Sequence, residues 1–525
     1  MKTVVQNKKP SRMKHAVLLT LGIFLSLSLK ATTIYVNYSA TGTNNGTSWA
    51  NAYTSLQSAL NGAVSGDQIW VSKGTYKPSY DYGMGGGSRY YHFEMIEGVA
   101  IYGGFAGTES SVSQRADYQV GEVNETVLSG DLAGNDIWDC SFFDPWVGAI
   151  KGTTGTDNCY HVIYNPDSRG LTSNAVIDGF TITGGNANYY SDTSPHIKGG
   201  GMYNRGASPT IRNCTFTKNQ AYIAIEGSDE AFALGSCIFN DISNPTISNC
   251  LFINNFDHTS TIWCQNGGIT MSNCTITHNY SWQDHSGVYI LQNMITSFIT
   301  NCTFSYNNGP GYGTALTTDY ANNLTISGCS FIGNTARYYN NNSYGVGVVC
   351  NLNSSNINIT NCNFSSNDIN NLSGNVGEGG AIYNEGVDCE NINISNCVFS
   401  NNKASHGGAI ANSASLCTVT NSSFSNNIAT VAGGAAIVYK REWMDDYSGY
   451  IVFDNCAFWN NTSPMGNEFC SDGHDDSHNC TIEINYSCFP NGTGDLVMAN
   501  GGIIIATNHN IHSNPLFFNR SNDDL

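Results

Sequence analysis

The sequence predicts an all-β fold, a single-stranded parallel β-helix in which the chain winds into a solenoid of stacked coils. An Asn-Cys-x-Phe-x-x-Asn phrase recurs in ten copies, and successive copies lie between 24 and 36 residues apart. A fixed phrase with a spacer of variable length is typical of a solenoid, in which each repeat forms one coil. Short alternating apolar segments without a helical period accompany the phrase. These observations predict about ten repeat coils, preceded by less regular N-terminal coils.

Two positions of the phrase accept only Gly or Asn in all ten copies. The first position, which precedes the cysteine, is occupied by Gly179, Asn213, Asn249, Asn273, Asn301, Gly328, Asn361, Asn396, Asn421 and Asn455. The second position, which closes the phrase, is occupied by Gly185, Asn219, Asn255, Asn279, Asn307, Asn334, Asn367, Asn402, Asn427 and Asn461. Gly and Asn tolerate the left-handed backbone region better than other residues do. We therefore expect a sharp corner at each position, on either side of a short strand.

The cysteine of the phrase is predicted to be a packing residue. Phe180 and Ser422 occupy the same position in two copies, and a catalytic or metal-binding thiol could not be exchanged for Phe. The cysteine and phenylalanine positions are two residues apart, so both point to one face of the strand. Stacked coils place equivalent Cα–Cβ bonds parallel and about 4.8 Å apart, which does not suit a disulfide. We expect free thiols at Cys214, Cys250, Cys274, Cys302, Cys329, Cys362, Cys397 and Cys456.

The two ends of the chain differ from the repeats. Leu56, Leu60 and Val64 recur along one face of Thr54–Val64, which predicts a short amphipathic helix that covers the first coil. The expected segments are a signal peptide over 1–31, an N-terminal cap with irregular coils over 32–165, the repeat region over 166–463 and a C-terminal cap region over 464–525. Five cysteines outside the repeated position are candidates for disulfides, with the pairing open: Cys140, Cys159, Cys470, Cys480 and Cys488.

The first thirty residues predict export. Basic residues between Lys8 and Lys14 precede the 14-residue apolar run Ala16–Leu29, and the small residue Ala31 follows. This order is typical of a secretory signal peptide, and the run is shorter than the about 20 residues that span a bilayer. The alternative is an uncleaved anchor. We expect an extracellular or outer-membrane-associated chain with no transmembrane segment after cleavage.

Charge and composition exclude some classes of function. The chain has 21 basic and 40 acidic residues, a formal net charge of −19. Such a surface repels phosphate backbones, so we predict no nucleic-acid partner. It is compatible with calcium, but no EF-hand spacing is present and no cofactor is predicted.

Two Asp-His pairs are the candidate ligand-binding residues. Asp257-His258 and Asp284-His285 are predicted to fall in equivalent loops of consecutive coils. Stacking would bring two imidazoles and two carboxylates together, as a metal site or an acid/base pair requires. The alternative is that repetition merely aligns solvated loop residues. No catalytic residue and no metal ligand is assigned.

The same loops carry aromatic residues, of which Trp282, Tyr338 and Tyr339 are candidate ligand-binding residues. If the loops emerge along one side, the rings form a ridge for stacking on sugars or for holding a protein. The alternative is that they lie flat and shield the corners of the coils.

The repeats resemble those of polymorphic outer membrane proteins, which pair a GGA-aliphatic motif with FxxN. The resemblance extends over about residues 176–461 and includes GGAI from Gly379 and from Gly407. The stretch TTIYVNYSATGTNNGTSWANAY is similar to the start of secreted bacterial right-handed β-helix proteins. These resemblances imply a right-handed β-helix on the cell surface. Related proteins often carry a C-terminal sorting or translocator domain, and we expect none before Leu525.

These observations together favour an exported binding protein, non-catalytic, that contacts a polysaccharide or a host or cell-surface protein. The alternative is a polysaccharide lyase or glycoside hydrolase of the same fold. Basic residues are scattered through the repeats, and the paired Asp-Asp and Gly-His-Gly elements of pectin hydrolases are missing. Because the repeat encodes only the scaffold, it does not separate the two functions.

Overall fold

The computed structural model describes most of the chain as one series of stacked coils. The described residues are 31–138, 154–189, 194–222, 233–282, 285–293, 295–336, 345–370, 377–440, 448–473, 480–513 and 515. Residues 1–30 of the predicted signal peptide, with its apolar run, lie outside these ranges. No helix among the described residues is long and apolar enough to cross a membrane.

The coils contribute strands to several parallel sheets, in which neighbouring strands come from successive coils. The first sheet has 15 strands. They are Thr33–Val36, Gln68–Ser72, Ala100–Phe105, Val176–Asp178, Thr210–Arg212, Thr246–Ser248, Thr270–Ser272, Ser297–Thr300, Asn322–Ser327, Ser355–Thr360, Ile392–Ser395, Leu416–Thr420, Tyr450–Asp454, Thr481–Asn485 and Ile503–Asn508.

The second sheet has 12 strands and carries the Cys-x-Phe part of the phrase. They are Gly74–Tyr76, Thr126–Ser129, Thr181–Thr183, Thr215–Thr217, Leu251–Ile253, Thr275–Thr277, Thr303–Ser305, Ser330–Ile332, Asn363–Ser365, Val398–Ser400, Ser423–Ser425 and Ala457–Trp459.

The third sheet also has 12 strands and closes the coil opposite the first two. They are Ile163–Asn165, Met202–Arg205, Ile238–Asp241, Ile262–Gln265, Val288–Leu291, Leu316–Asp319, Val349–Leu352, Ile382–Glu385, Ile410–Ser413, Ala436–Tyr439, Phe469–Asp472 and Leu496–Ala499.

Two lateral sheets of short strands lie between the second and third sheets in chain order. One has the five strands Gln220–Ala221, Phe256–Asp257, Tyr280–Ser281, Asn308–Gly309 and Thr335–Ala336. The other has the four strands Gly345–Val346, Gly377–Glu378, Lys403–His406 and Ile428–Ala432.

The core consists of stacked files of identical side chains, as predicted. Phe331, Phe364 and Phe399 lie in successive coils with ring centroids 4.7 and 4.9 Å apart and nearly parallel planes. Cysteines such as Cys302 and Cys329 form the neighbouring file, buried and free of disulfides. The prediction that this cysteine is a packing residue with a free thiol is confirmed.

The first Gly/Asn position makes the predicted corner. Asn213 has a φ of +53°, and the equivalent residue of each of the other nine copies is also left-handed. The second Gly/Asn position is not left-handed, so the prediction of a sharp corner there is wrong. The left-handed residue is the one before it, for example Lys218, His278 or Tyr306.

The second position instead carries an asparagine ladder inside the solenoid. Asn307 donates from Nδ2 to the carbonyl of Ile276 at 2.8 Å and to Oδ1 of Asn334 at 3.1 Å, and its Oδ1 accepts the backbone N–H of Asn279 at 3.1 Å. The same bonds recur from Asn219 to Asn461. Asparagine is retained here because its amide satisfies buried backbone groups at the corner.

A short helix, Leu56–Gly62, covers the first coils, as predicted, but it ends before Val64. Leu56 and Leu60 are buried, whereas Val64 is 49% exposed. Among the described residues there are six 3₁₀ turns, at Ser88–Tyr90, Val112–Gln114, Thr154–Thr156, Asp167–Arg169, Pro195–Ile197 and Gly492–Asp495.

The cysteines proposed for disulfides are free thiols. Cys159, Cys470 and Cys480 are buried, and Cys488 is half-buried. Cys140 lies outside the described residues. The disulfide prediction is wrong for the four described cysteines because they too pack inside the coils as small apolar side chains.

Candidate functional site

Strand register separates the two Asp-His pairs, contrary to the sequence prediction. In the lateral sheet Phe256 pairs with Tyr280, so Asp257 lies opposite Ser281. Asp284 lies outside the described residues. The prediction of equivalent positions is therefore wrong for Asp257, because its partner in the next coil is Ser281 and not a residue of the second pair.

Asp257 faces the interior and not a ligand. Its side chain is fully buried, and its carboxylate accepts the Ser236 N–H at 2.6 Å and the Thr261 hydroxyl at 3.1 Å. Burial raises the pKa of Asp257 to about 7, although these hydrogen bonds oppose the shift. These contacts indicate a structural carboxyl.

The remaining candidates lie in two separate aromatic clusters. His258 and Trp282 flank Tyr222, with ring centroids 6.0 and 5.9 Å from it. The ring centroid of His285 lies 4.2 Å from that of Tyr289, with the planes tilted by 33°, and its Nδ1 donates to the carbonyl of Tyr312 at 2.6 Å. Both histidines are buried. Tyr338 and Tyr339 lie outside the described residues.

Sequence reasoning missed a pocket of about 490 Å³ on the outer face of the second sheet, near its N-terminal end. Leu128 and Ile182 point into the core, so their neighbours Ser129 and Thr183 point outward. The pocket is lined by Ser129, Asp131, Asp136, Ile137, Trp138, Thr183, Gly184 and Lys218.

A turn that begins at Asp131 forms the wall of this pocket. One carboxylate oxygen of Asp131 accepts the N–H groups of Gly134 at 2.6 Å and Asn135 at 3.2 Å, and the other accepts that of Asp136 at 3.1 Å. Asp side chains stabilise turns in this way, and Gly134, with a φ of +74°, allows the reversal. The turn brings Asp136 and Trp138 to the pocket.

Asp136 has an acceptor atom without a donor. Its Oδ2 accepts the Asn158 amide at 2.7 Å, whereas its Oδ1 is buried and has no hydrogen-bond partner in the part of the chain that the structure describes. Burial raises the pKa of Asp136 to about 6; Asp131 and Asp157 add to the shift and Lys77 opposes it. An unmet buried acceptor costs about 1–3 kcal/mol, which a ligand donor would recover.

Trp138 supplies a hydrogen-bond donor to complement the acceptor of Asp136. Its indole N–H is buried and finds no acceptor among the described residues. The neighbouring Ile137 is 59% exposed. The pocket therefore combines an aromatic ring, an unmet donor and an unmet acceptor, a composition typical of small-molecule sites. A Trp directly after a turn motif was the available sequence signal, but it lies outside the repeats.

Metal coordination has no support at this site. Within the described ranges, no group of three or more His, Cys, Asp or Glu side chains could hold a metal ion.

Comparison with known proteins identifies the scaffold. Residues 147–308 and 238–442 match the family model described as the right handed beta helix region. No curated protein matches the sequence. The chain is similar to the protein in "Crystal structure of pectate lyase Pel9A". The match covers 85% of this chain and 79% of the lyase chain, at 14% sequence identity and a TM-score of 0.33.

Proposed function

Because the chain belongs to the right-handed β-helix family, whose coils are a scaffold for displayed side chains, we propose that it is an exported, non-catalytic binding protein that contacts glycans. The observation that carries this proposal is the pocket formed by Asp136 and Trp138. Export rests on the predicted signal peptide, and display at the cell surface on the resemblance to polymorphic outer membrane protein repeats.

The chemistry of the pocket suits a sugar ring. A pyranose has an apolar C–H face, which packs against an indole, and hydroxyl groups that both donate and accept hydrogen bonds. Trp138 offers an amphipathic ring of this kind. A hydroxyl could donate to Oδ1 of Asp136, and a sugar oxygen could accept the indole N–H. One small ligand would then satisfy both buried atoms.

Glycoside hydrolysis is the second candidate, and two carboxyl groups in one pocket favour it. Glycosidases use a pair of Asp or Glu residues, of which one is protonated and acts as a general acid. Asp136, whose pKa burial raises to about 6, would be the acid, and Asp131 the second carboxyl. Asp131 already accepts three backbone N–H groups, which favours a role in holding the turn.

The test is a screen of the chain from residue 32 onward against neutral, acidic and amino polysaccharides, with and without calcium. Retention and new reducing or unsaturated ends are measured together. We expect retention without products, weakened at least about tenfold in Trp138→Ala. Trp282→Ala is the matched control, since Trp282 lies in a different aromatic cluster.

The other outcomes would discriminate among the alternatives. Products that vanish in Asp136→Asn would make the protein a glycosidase. Loss of retention in Trp282→Ala alone would move the site to the cluster around Tyr222. Binding to no glycan would overturn the proposal and favour a protein partner.

A further inference from the structure

The charges around the pocket indicate which kind of glycan it takes. Asp131 and Asp136 line it, and Asp157 is close enough to raise the pKa of Asp136 after the larger effect of burial. The opposing cations are Lys77 and Lys218. The first already donates to the Leu132 carbonyl at 3.0 Å, and the second lines the pocket from a left-handed corner with a φ of +55°.

The unmet acceptor is part of a carboxyl group and not of a neutral amide. A cationic donor forms a stronger hydrogen bond with such an oxygen than a hydroxyl does. A ligand carboxylate would instead meet Asp131 and Asp136, and like charges in a partly buried site repel. The pocket therefore disfavours uronic acids at the position next to Asp136.

We propose that the pocket selects glycans with a free amino group, whose ammonium donates to Oδ1 of Asp136 while the sugar ring packs on Trp138. The ligand class is the 2-amino-2-deoxy hexoses without N-acetylation. This inference rests on the proposed glycan-binding function and names its ligand. The indole N–H of Trp138 would donate to a ring or hydroxyl oxygen of the same sugar.

Binding of an amino sugar through Asp136 depends on pH, because both partners of the ion pair must be charged. Asp136 must lose its proton to attract an ammonium, so binding strengthens as the pH rises through about 6 and weakens again at the higher pH where the sugar ammonium loses its own proton. Asp131 and Asp157 add negative charge on the same side, whereas Lys77 opposes it and Lys218 lines the pocket as a second cation. A neutral glycan would bind without such a rise.

Titration calorimetry at 0.15 M salt would test the proposal with glucosamine tetramers, N-acetylglucosamine tetramers and galacturonate tetramers. We expect the glucosamine oligomer to bind at least about tenfold more tightly than the other two, and more tightly at pH 7 than at pH 5. Asp136→Asn should remove this preference. Asp388→Asn, an equal change of charge at an exposed position in a later coil, should not.

Each outcome separates this inference from the proposed function. Equal binding of the acetylated and free sugars, or preference for galacturonate, would overturn the inference and leave glycan binding intact. If Asp136→Asn and Asp388→Asn lose the preference for glucosamine to the same extent, the preference comes from non-specific attraction to the net charge of −19. That result would also overturn the inference. Binding to none of the oligomers would overturn both. The pH and acetylation comparisons use the unmodified chain, so they hold even where a variant does not fold.

Discussion

Asn461 donates from Nδ2 to the buried carboxyl of Glu468 at 2.6 Å, so the asparagine ladder ends on an acid. Every earlier member of the ladder donates to the next asparagine, for example Asn427 to Asn461 at 2.8 Å. Asn461 has no further asparagine to follow it in the phrase. Glu468, which is only 1% exposed, takes that place and closes the series of hydrogen bonds.

This ending predicts a pH-dependent stability. Burial raises the pKa of Glu468 to about 8, and Asp495 adds to the shift. Its contribution is full below the ordinary pKa of about 4.5 and is lost as the pH rises towards 8. We expect the native chain to lose roughly 2–4 kcal/mol more of its free energy of unfolding between pH 5 and 8 than Glu468→Gln does, because this difference isolates the carboxyl of Glu468. Urea denaturation at both pH values checks this, and an equal fall in the variant would contradict it.

The two Gly/Asn positions should respond differently to glycine. Asn301 is left-handed, with a φ of +52°, so Asn301→Gly keeps the corner and should change the free energy of unfolding by under about 1 kcal/mol. Asn307→Gly removes the buried amide and leaves several backbone groups unsatisfied, at a cost of roughly 3 kcal/mol or more. Thermal and urea denaturation of the pair measure the difference. Equal losses would refute the distinction between corner and ladder.

The cysteine file should tolerate serine and resist thiol reagents. Ser422 already occupies the position, where its hydroxyl donates to the Thr420 carbonyl at 2.8 Å. We expect Cys397→Ser to cost no more than about 1–2 kcal/mol, since its hydroxyl can donate to the carbonyl of Ser395. The file thiols of the native chain should stay unmodified by an aromatic disulfide reagent until urea unfolds them. Rapid modification of file cysteines, located by mass spectrometry, would contradict their burial.

Asp257 should affect stability and not ligand binding. Burial raises its pKa to about 7, so the stability it contributes is full below about pH 4 and is lost as the pH rises to 7. Asp257→Asn should flatten that dependence and leave glycan retention unchanged. A loss of retention with intact folding, measured by circular dichroism, would restore the ligand-binding role inferred from the sequence.

The repeat coils could be predicted from the sequence because each coil repeats the same short strand and the same backbone corner. The Cys-x-Phe strand and the corner at Asn213 follow directly from periodicity and backbone tolerance. A left-handed corner was wrongly predicted at the second Gly/Asn position because Asn serves two purposes in this fold. At the first position its backbone is left-handed, and at the second, as in Asn307, its side chain joins the hydrogen-bonded ladder. Residue identity alone does not separate them.

The site was harder to predict than the scaffold. The two Asp-His pairs look equivalent in the sequence, but spacers of variable length shift the register, so that Asp257 lies opposite Ser281. Asp136 and Trp138 come together through a single turn outside the repeats. Only the folded arrangement places that turn over the second sheet, so periodicity carries no signal for it.

Glycan binding at Trp138 can be tested by recording the NMR spectrum of the tryptophan indole N–H groups during addition of a glycan that the chain retains. The resonance of Trp138 is identified by its loss in Trp138→Phe. We expect this resonance to shift on binding, because the indole N–H gains an acceptor that it lacks among the described residues. A bound glycan that leaves this resonance unmoved and shifts that of Trp282 would show that the glycan does not bind at Trp138.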